Sequence, residues 1–119
     1  MERALVGNAA DPRQLKKAGK IEKERARRRL ANLAWIVSTT QGREHIWDAL
    51  CLAGVFTANQ GASEYERGIE EGRRRGGLSL MADLADLDPT LYHRMAREAA
   101  GREAEELAPR PTQTEEEQS

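Results

Sequence analysis

Apolar residues recur along this chain at helical spacing and almost nowhere in the alternation that a strand needs. Ala26, Leu30, Leu33 and Val37 form one stripe, three or four residues apart. Well ahead of it stands Asp11-Pro12, an N-cap residue followed by the proline favoured at a first helical position. Together they predict a helix running from about 12 to 37. Ser38 to Gly42 breaks the pattern, with Ser38 and Gln41 spaced for a capping box. A second helix then carries Ile46, Trp47, Leu50 and Ala53, and Gly54 is a natural residue to end it. Residues 55–62 read as a loop. Ser63 and Glu66 make another capping box and open a third helix, whose apolar positions run Tyr65, Ile69, then Gly72 and Gly76, then Leu80, Leu84 and Leu87. Asp88-Pro89 closes that helix and starts a fourth, on which Leu91, Tyr92, Met95 and Ala99 share a side. Beyond Leu107, "APRPTQTEEEQS" has the polar, acidic composition of a disordered tail.

Four helices in 119 residues imply a small all-α bundle. Three parts are expected: a basic N-terminal helical arm over 1–33, a helical core over 34–100, and an acidic tail over 101–119. The charge supports this division. The net charge is −1, yet residues 1–30 hold ten Lys/Arg against four Asp/Glu, while residues 101–119 hold two against six. Ends of opposite sign suit partners of opposite sign. The lone Cys51 excludes a disulfide framework, fits a reducing compartment, and reads as a small buried hydrophobe. No apolar run approaches the roughly 20 residues of a membrane span.

The third helix contains the least usual stretch, "EEGRRRGGLSL". Gly68, Gly72 and Gly76 repeat every fourth position, and Gly77 follows. Each glycine inside a helix costs about 1 kcal/mol relative to alanine. Several together suggest a bare strip where a neighbouring helix or loop packs too closely for a side chain. The alternative is that Gly76-Gly77 ends a short helix; the aliphatic stripe stays in phase beyond them, which favours a continuous one. A phosphate loop is a poor match, with no strand before it and no Lys-Ser/Thr after it. Arg73 and Arg74 project away from the glycines and Arg75 borders them. These arginines are either a solvated face paired with Glu70 and Glu71 or a fork of guanidinium groups for phosphate or an acidic partner.

A second basic feature lies on the first helix. Arg13, Lys16, Lys20, Lys23 and Arg27 fall within a sector of about 80° along about 21 Å of axis. This ridge can track nucleic-acid backbone, bind an acidic protein surface, or simply be solvated. His45 with Glu44 and Asp48 could place ligands on one helical turn, but a closed metal site needs about four. His93 stands apart, and no nucleophile–base constellation is visible. A protein that is not an enzyme and has no cofactor is the expectation.

Two blocks are familiar as a pair. "QGREHIWDALCLAGVF" and "EYERGIEEGRRRGGLSLMADL" resemble a small protein family of tailed bacteriophages, first noted as an uncharacterised product of a Bordetella phage. The positions that carry the likeness are Gly42, Arg43, Trp47, Leu50, Gly54, Val55 and Phe56, then Glu71, Gly72, Arg73, Arg74, Gly77 and Leu78. It spans about residues 34–98 and departs from the family pattern at Arg75-Gly76. The family brings no catalytic residues. Its genes lie among the portal, capsid and tail genes of short-tailed phages, so the resemblance implies a virion or morphogenesis protein. Such a protein would be present in several copies and in contact with portal, tail or capsid proteins, or inside the head. A DNA-binding accessory in packaging or ejection is the other class that the basic residues allow. A host-directed regulator is a third.

Overall fold

Four α-helices and no strand occur among residues 11–109, the part of the chain that the computed structural model describes. They are α1 (Pro12–Ile36), α2 (Thr40–Leu52), α3 (Glu64–Leu87) and α4 (Leu91–Leu107). The protein is all-α. The chain divides into two units between Ile36 and Val37, so the first unit extends past the arm boundary expected at residue 33. Most of the expected acidic tail, residues 110–119, lies outside the described residues.

In the first unit, α1 starts as its sequence implies. The Asp11 carboxylate accepts the Arg13 amide at 3.0 Å, one turn ahead of any internal helical bond. Leu33 is buried, whereas Leu15, Ile21 and Trp35 are exposed.

In the second unit, α2, α3 and α4 each touch the other two. Their shared core is small: Val37, Ile46, Leu50, Leu84, Leu91 and Met95, with Leu50, Leu84 and Met95 almost wholly covered. The cap of α2 is Thr39, one residue beyond the expected Ser38. Its backbone is extended and its hydroxyl accepts the Gly42 amide at 3.0 Å. The displacement follows from Val37, which is buried and has its carbonyl bound by Arg43. The chain therefore turns out through Ser38 before the helix can begin.

The end of α2 is a Schellman motif. The Gly54 amide donates to Cys51 and the Val55 amide to Leu50, with Gly54 at φ 77°. A side chain is strained at that φ, which is why glycine stands there.

At the start of α3, the Ser63 hydroxyl accepts the Glu66 amide at 3.1 Å, and the Glu66 carboxylate accepts the Ala62 amide at 2.9 Å. The reciprocal bond thus reaches one residue further back than in the expected box. The helix runs without interruption through Gly76-Gly77 to Leu87. Its buried positions are Gly77 and Leu84, with Tyr65 and Ile69 exposed, so the expected stripe packs only in its C-terminal half, where Gly77 joins it. Only the C-terminal half of α3 lies in the core. The N-terminal half is held by polar contacts to the loop before it.

Between α3 and α4, one Asp88 carboxylate oxygen accepts both the Thr90 amide (2.9 Å) and the Thr90 hydroxyl (2.8 Å). Asp88-Pro89-Thr90 is therefore a turn, and α4 begins at Leu91 rather than at the proline. These bonds hold the Asp88 carboxyl below its ordinary range. The helix then continues past the expected limit at residue 100 to Leu107, because Arg102 to Glu106 are strong helix formers.

Candidate interaction surface

The residues that carried the sequence resemblance turn out mostly to build this frame. Arg43 is the chief example. It is the buried charged residue of the core, and its guanidinium forks onto Glu98 of α4 through Nε and Nη2, each at 2.9 Å. Nη1 donates to the Val37 carbonyl at 3.0 Å and Nη2 to the Thr40 hydroxyl at 3.1 Å. One side chain thus ties the start of α2, the first residue of the preceding turn and the middle of α4. Its hydrogen bond holds the Glu98 carboxyl below the usual carboxylate range, against burial, which pushes it up. Arg94 at 4.0 Å and a nearby Arg102–Glu44 pair at 3.7 Å extend the network outward. Sequence reading marked Arg43 only as part of a motif. An arginine one turn into a helix, between Val37 and Ile46, was the available hint of burial.

Trp47, Phe56 and Tyr92 form an aromatic cluster, with Trp47 and Phe56 stacked at 4.9 Å and Tyr92 about 6 Å from both. His93 meets Tyr92 edge-on at 5.4 Å. Among the described residues no group of three or more His, Cys, Asp or Glu is placed to hold a metal, and Glu44 is instead engaged with Arg102.

Of the four glycines expected to mediate packing, the described residues press only on Gly77. A Cβ added there would run into the Val55 side chain and would stand 2.7 Å from the Ala53 methyl. This is the contact by which the C-cap of α2 seats against α3. Gly68, Gly72 and Gly76 are a correction: a Cβ at any of them meets nothing within 4 Å. Gly76 borders an open groove beside Ala49 and Leu52 of α2, and no described residue closes on any of the three. Cys51 is likewise exposed rather than buried, because α2 turns Arg43, Ile46 and Leu50 inward and Cys51 falls about 100° round from Leu50.

The arginine run has a definite setting. Glu70 and Glu71, the expected partners, serve the loop instead. Glu70 accepts the Gln60 amide at 3.0 Å and Glu71 the Asn59 side-chain amide at 3.2 Å. Arg73 and Arg74 are left lining a cleft of about 320 Å³ between that loop and α3, with no hydrogen bond or ion pair to the described residues. Arg75 is exposed on the side of the open glycines. A second, more apolar groove of about 540 Å³, lined by Ala49, Leu52, Gly76 and Leu80, meets the cleft at Arg73. Leu52 is 82% exposed.

On α1, Arg13, Lys16, Lys20, Lys23 and Arg27 are all exposed, as a ridge requires. Arg27 is partly engaged by Glu24 at 2.7 Å, and the other four make no pair with described residues.

No described helix is long and apolar enough to cross a membrane. Compared with known protein families, curated proteins and solved structures, the chain matches none.

Proposed function

We propose that this is a non-enzymatic structural or assembly protein of a bacteriophage particle, present in several copies near the portal and tail or inside the head. One observation carries the reading: an apolar surface stands uncovered on a chain with a very small core. Leu52 is 82% exposed and stands at a groove lined by Ala49, Ala53, Gly76 and Leu80, and a contiguous apolar surface of this kind marks a place for another chain. The two sequence blocks that resemble a phage family add the kind of assembly. Their residues support it by what they do here: Arg43, Trp47, Gly54, Val55 and Gly77 join helices into a frame. Detection of the protein in purified particles tests the proposal, and its absence from them refutes it.

The α1 ridge favours a second reading, a DNA-binding accessory in packaging or ejection. Four cations without described partners, aligned on one helix, would release about four counterions on binding duplex DNA. The logarithm of affinity should then fall with the logarithm of salt at a slope of about −3 to −4. Exchanging Lys16, Lys20 and Lys23 for glutamine should flatten that slope by about 3. A titration that shows no binding at low salt, or no salt dependence, removes this reading.

A further inference from the structure

We propose that the N-terminal half of α3, residues 64–76, is a latched segment that opens as one unit while the core of the second unit stays folded. The loop at residues 59–62 is the latch, and Gly76 is the hinge.

Three properties of α3 point to this. The first is burial. No residue from 64 to 76 is buried, and only Glu70 and Arg74 are half-buried, while Tyr65 and Ile69 are 78% and 42% exposed. From Gly77 onward the same helix enters the core, through Gly77 and Leu84. Apolar burial therefore holds the second half and contributes almost nothing to the first. The second property is helix propensity. Gly68, Gly72 and Gly76 all fall in the first half, with open space where a Cβ would stand, so no packing offsets their cost. Each disfavours the helical state about fivefold relative to alanine. A helix this short is marginal on its own even without glycines.

The third property is the kind of contact that remains. Asn59 donates its side-chain amide to the Arg67 carbonyl at 3.0 Å and to the Glu71 carboxylate at 3.2 Å. The Gln60 amide donates to Glu70 at 3.0 Å, and the Arg67 guanidinium donates back to the Gly61 carbonyl at 3.3 Å. The backbones also meet at Gly61, where a Cβ would stand 2.6 Å from the Arg67 amide nitrogen. All four hydrogen bonds are exposed, so water competes for every group and each bond is worth little alone. They hold together and are lost together, because one short loop carries all of them.

A contrast between neighbours sets the hinge. Gly77 is seated against Ala53 and Val55 and cannot move without the C-cap of α2. Gly76 beside it meets nothing, and glycine accepts the backbone angles of a sharp bend. Opening there parts the walls of the cleft, the loop on one side and Arg73 and Arg74 on the other, and leaves Leu84 in place. A segment held this way can exchange its contacts for those of a neighbour at little cost to the fold. None of the latch contacts involves another chain, so the latch works whatever the protein assembles with.

Amide hydrogen exchange of the full chain, followed residue by residue by NMR, tests this. Amides 68–76 are expected to exchange at least a hundredfold faster than amides 81–87, at one common level of protection within each group and with a step between them. Urea below the unfolding midpoint should accelerate 81–87 steeply and 68–76 only slightly, because opening the segment exposes little surface. Asn59→Ala removes two bonds of the latch and should speed 68–76 about tenfold. Protection of 68–76 equal to that of 81–87 overturns the proposal, as does a parallel response of the two groups to urea. A smooth gradient from 68 to 87 would mean fraying from the helix end rather than opening as a unit, and overturns it too. Exchange of 68–76 that ignores Asn59→Ala shows that the loop is not the latch.

Discussion

Arg43→Ala is expected to lower the free energy of unfolding by about 3 kcal/mol, the low end of the range for breaking a buried ion pair. The substitution leaves the Glu98 carboxylate and the Val37 carbonyl without their donor, and opens a void between α2 and α4. The low end applies because Glu98 keeps 24% of its side-chain surface in water. Melting temperature should fall by more than 10 °C in a domain of this size. Thermal unfolding followed by circular dichroism measures it. Glu98→Gln should cost less, since the amide still accepts a bond from the guanidinium. The double variant Arg43→Met with Glu98→Leu should recover much of the loss, because apolar pairs often replace buried ion pairs without penalty. If Arg43→Ala melts like wild type, the guanidinium is not the tie between the helices.

The same pair sets a pH dependence. The folded-state pKa of Glu98 is lowered, so its contribution is fully present above the unfolded carboxyl pKa and is lost as pH falls through the folded value. Asp88 shifts in the same direction for its own reason, the two bonds from Thr90. Stability should therefore decline on the acid side, below about pH 4, and Glu98→Gln should flatten that decline. A decline of equal steepness in Glu98→Gln would assign the acid sensitivity elsewhere.

The second large effect is a change of sign along one helix. Gly77→Ala should destabilise by about 1–3 kcal/mol, because its methyl meets Val55 and Ala53, and neither can yield without moving the C-cap of α2. Gly72→Ala and Gly76→Ala should instead stabilise the isolated protein by about 0.5–1 kcal/mol each, through helix propensity in open space. Val55→Ala should rescue part of the Gly77→Ala loss, since it removes the atoms the new methyl meets. Urea unfolding of the four variants gives the comparison. Equal effects at Gly72 and Gly77 would contradict the packing described for α3.

These two sites also show how far sequence reading reached. The all-α class was legible, as were the start of α1 at Asp11-Pro12 and the turn at Gly54, because caps and helical spacing are local and depend on few residues. Which side of a helix faces the core depends on the partner. The stripe from Tyr65 to Leu87 is in phase along all of α3, yet only its second half meets other helices, and the packing side centres on Gly77 and Leu84. A glycine has no side chain by which to announce that it is buried. Cys51 was misplaced by its composition, since free cysteine is usually covered, while the register of α2 is set by Arg43, Ile46 and Leu50. The setting of Arg73 and Arg74 was not readable for a related reason. Glu70 and Glu71 are their nearest acids in sequence, but a loop ten residues upstream takes both carboxylates.

Under the proposed function, this small helical frame is a component of a phage particle. Quantitative mass spectrometry of purified particles of the phage proposed to encode the chain tests it most directly. The expected result is that its peptides are present at a fixed, multi-copy ratio to the portal protein and survive washing in high salt. Peptides abundant in the infected-cell lysate but missing from the purified particles would contradict it.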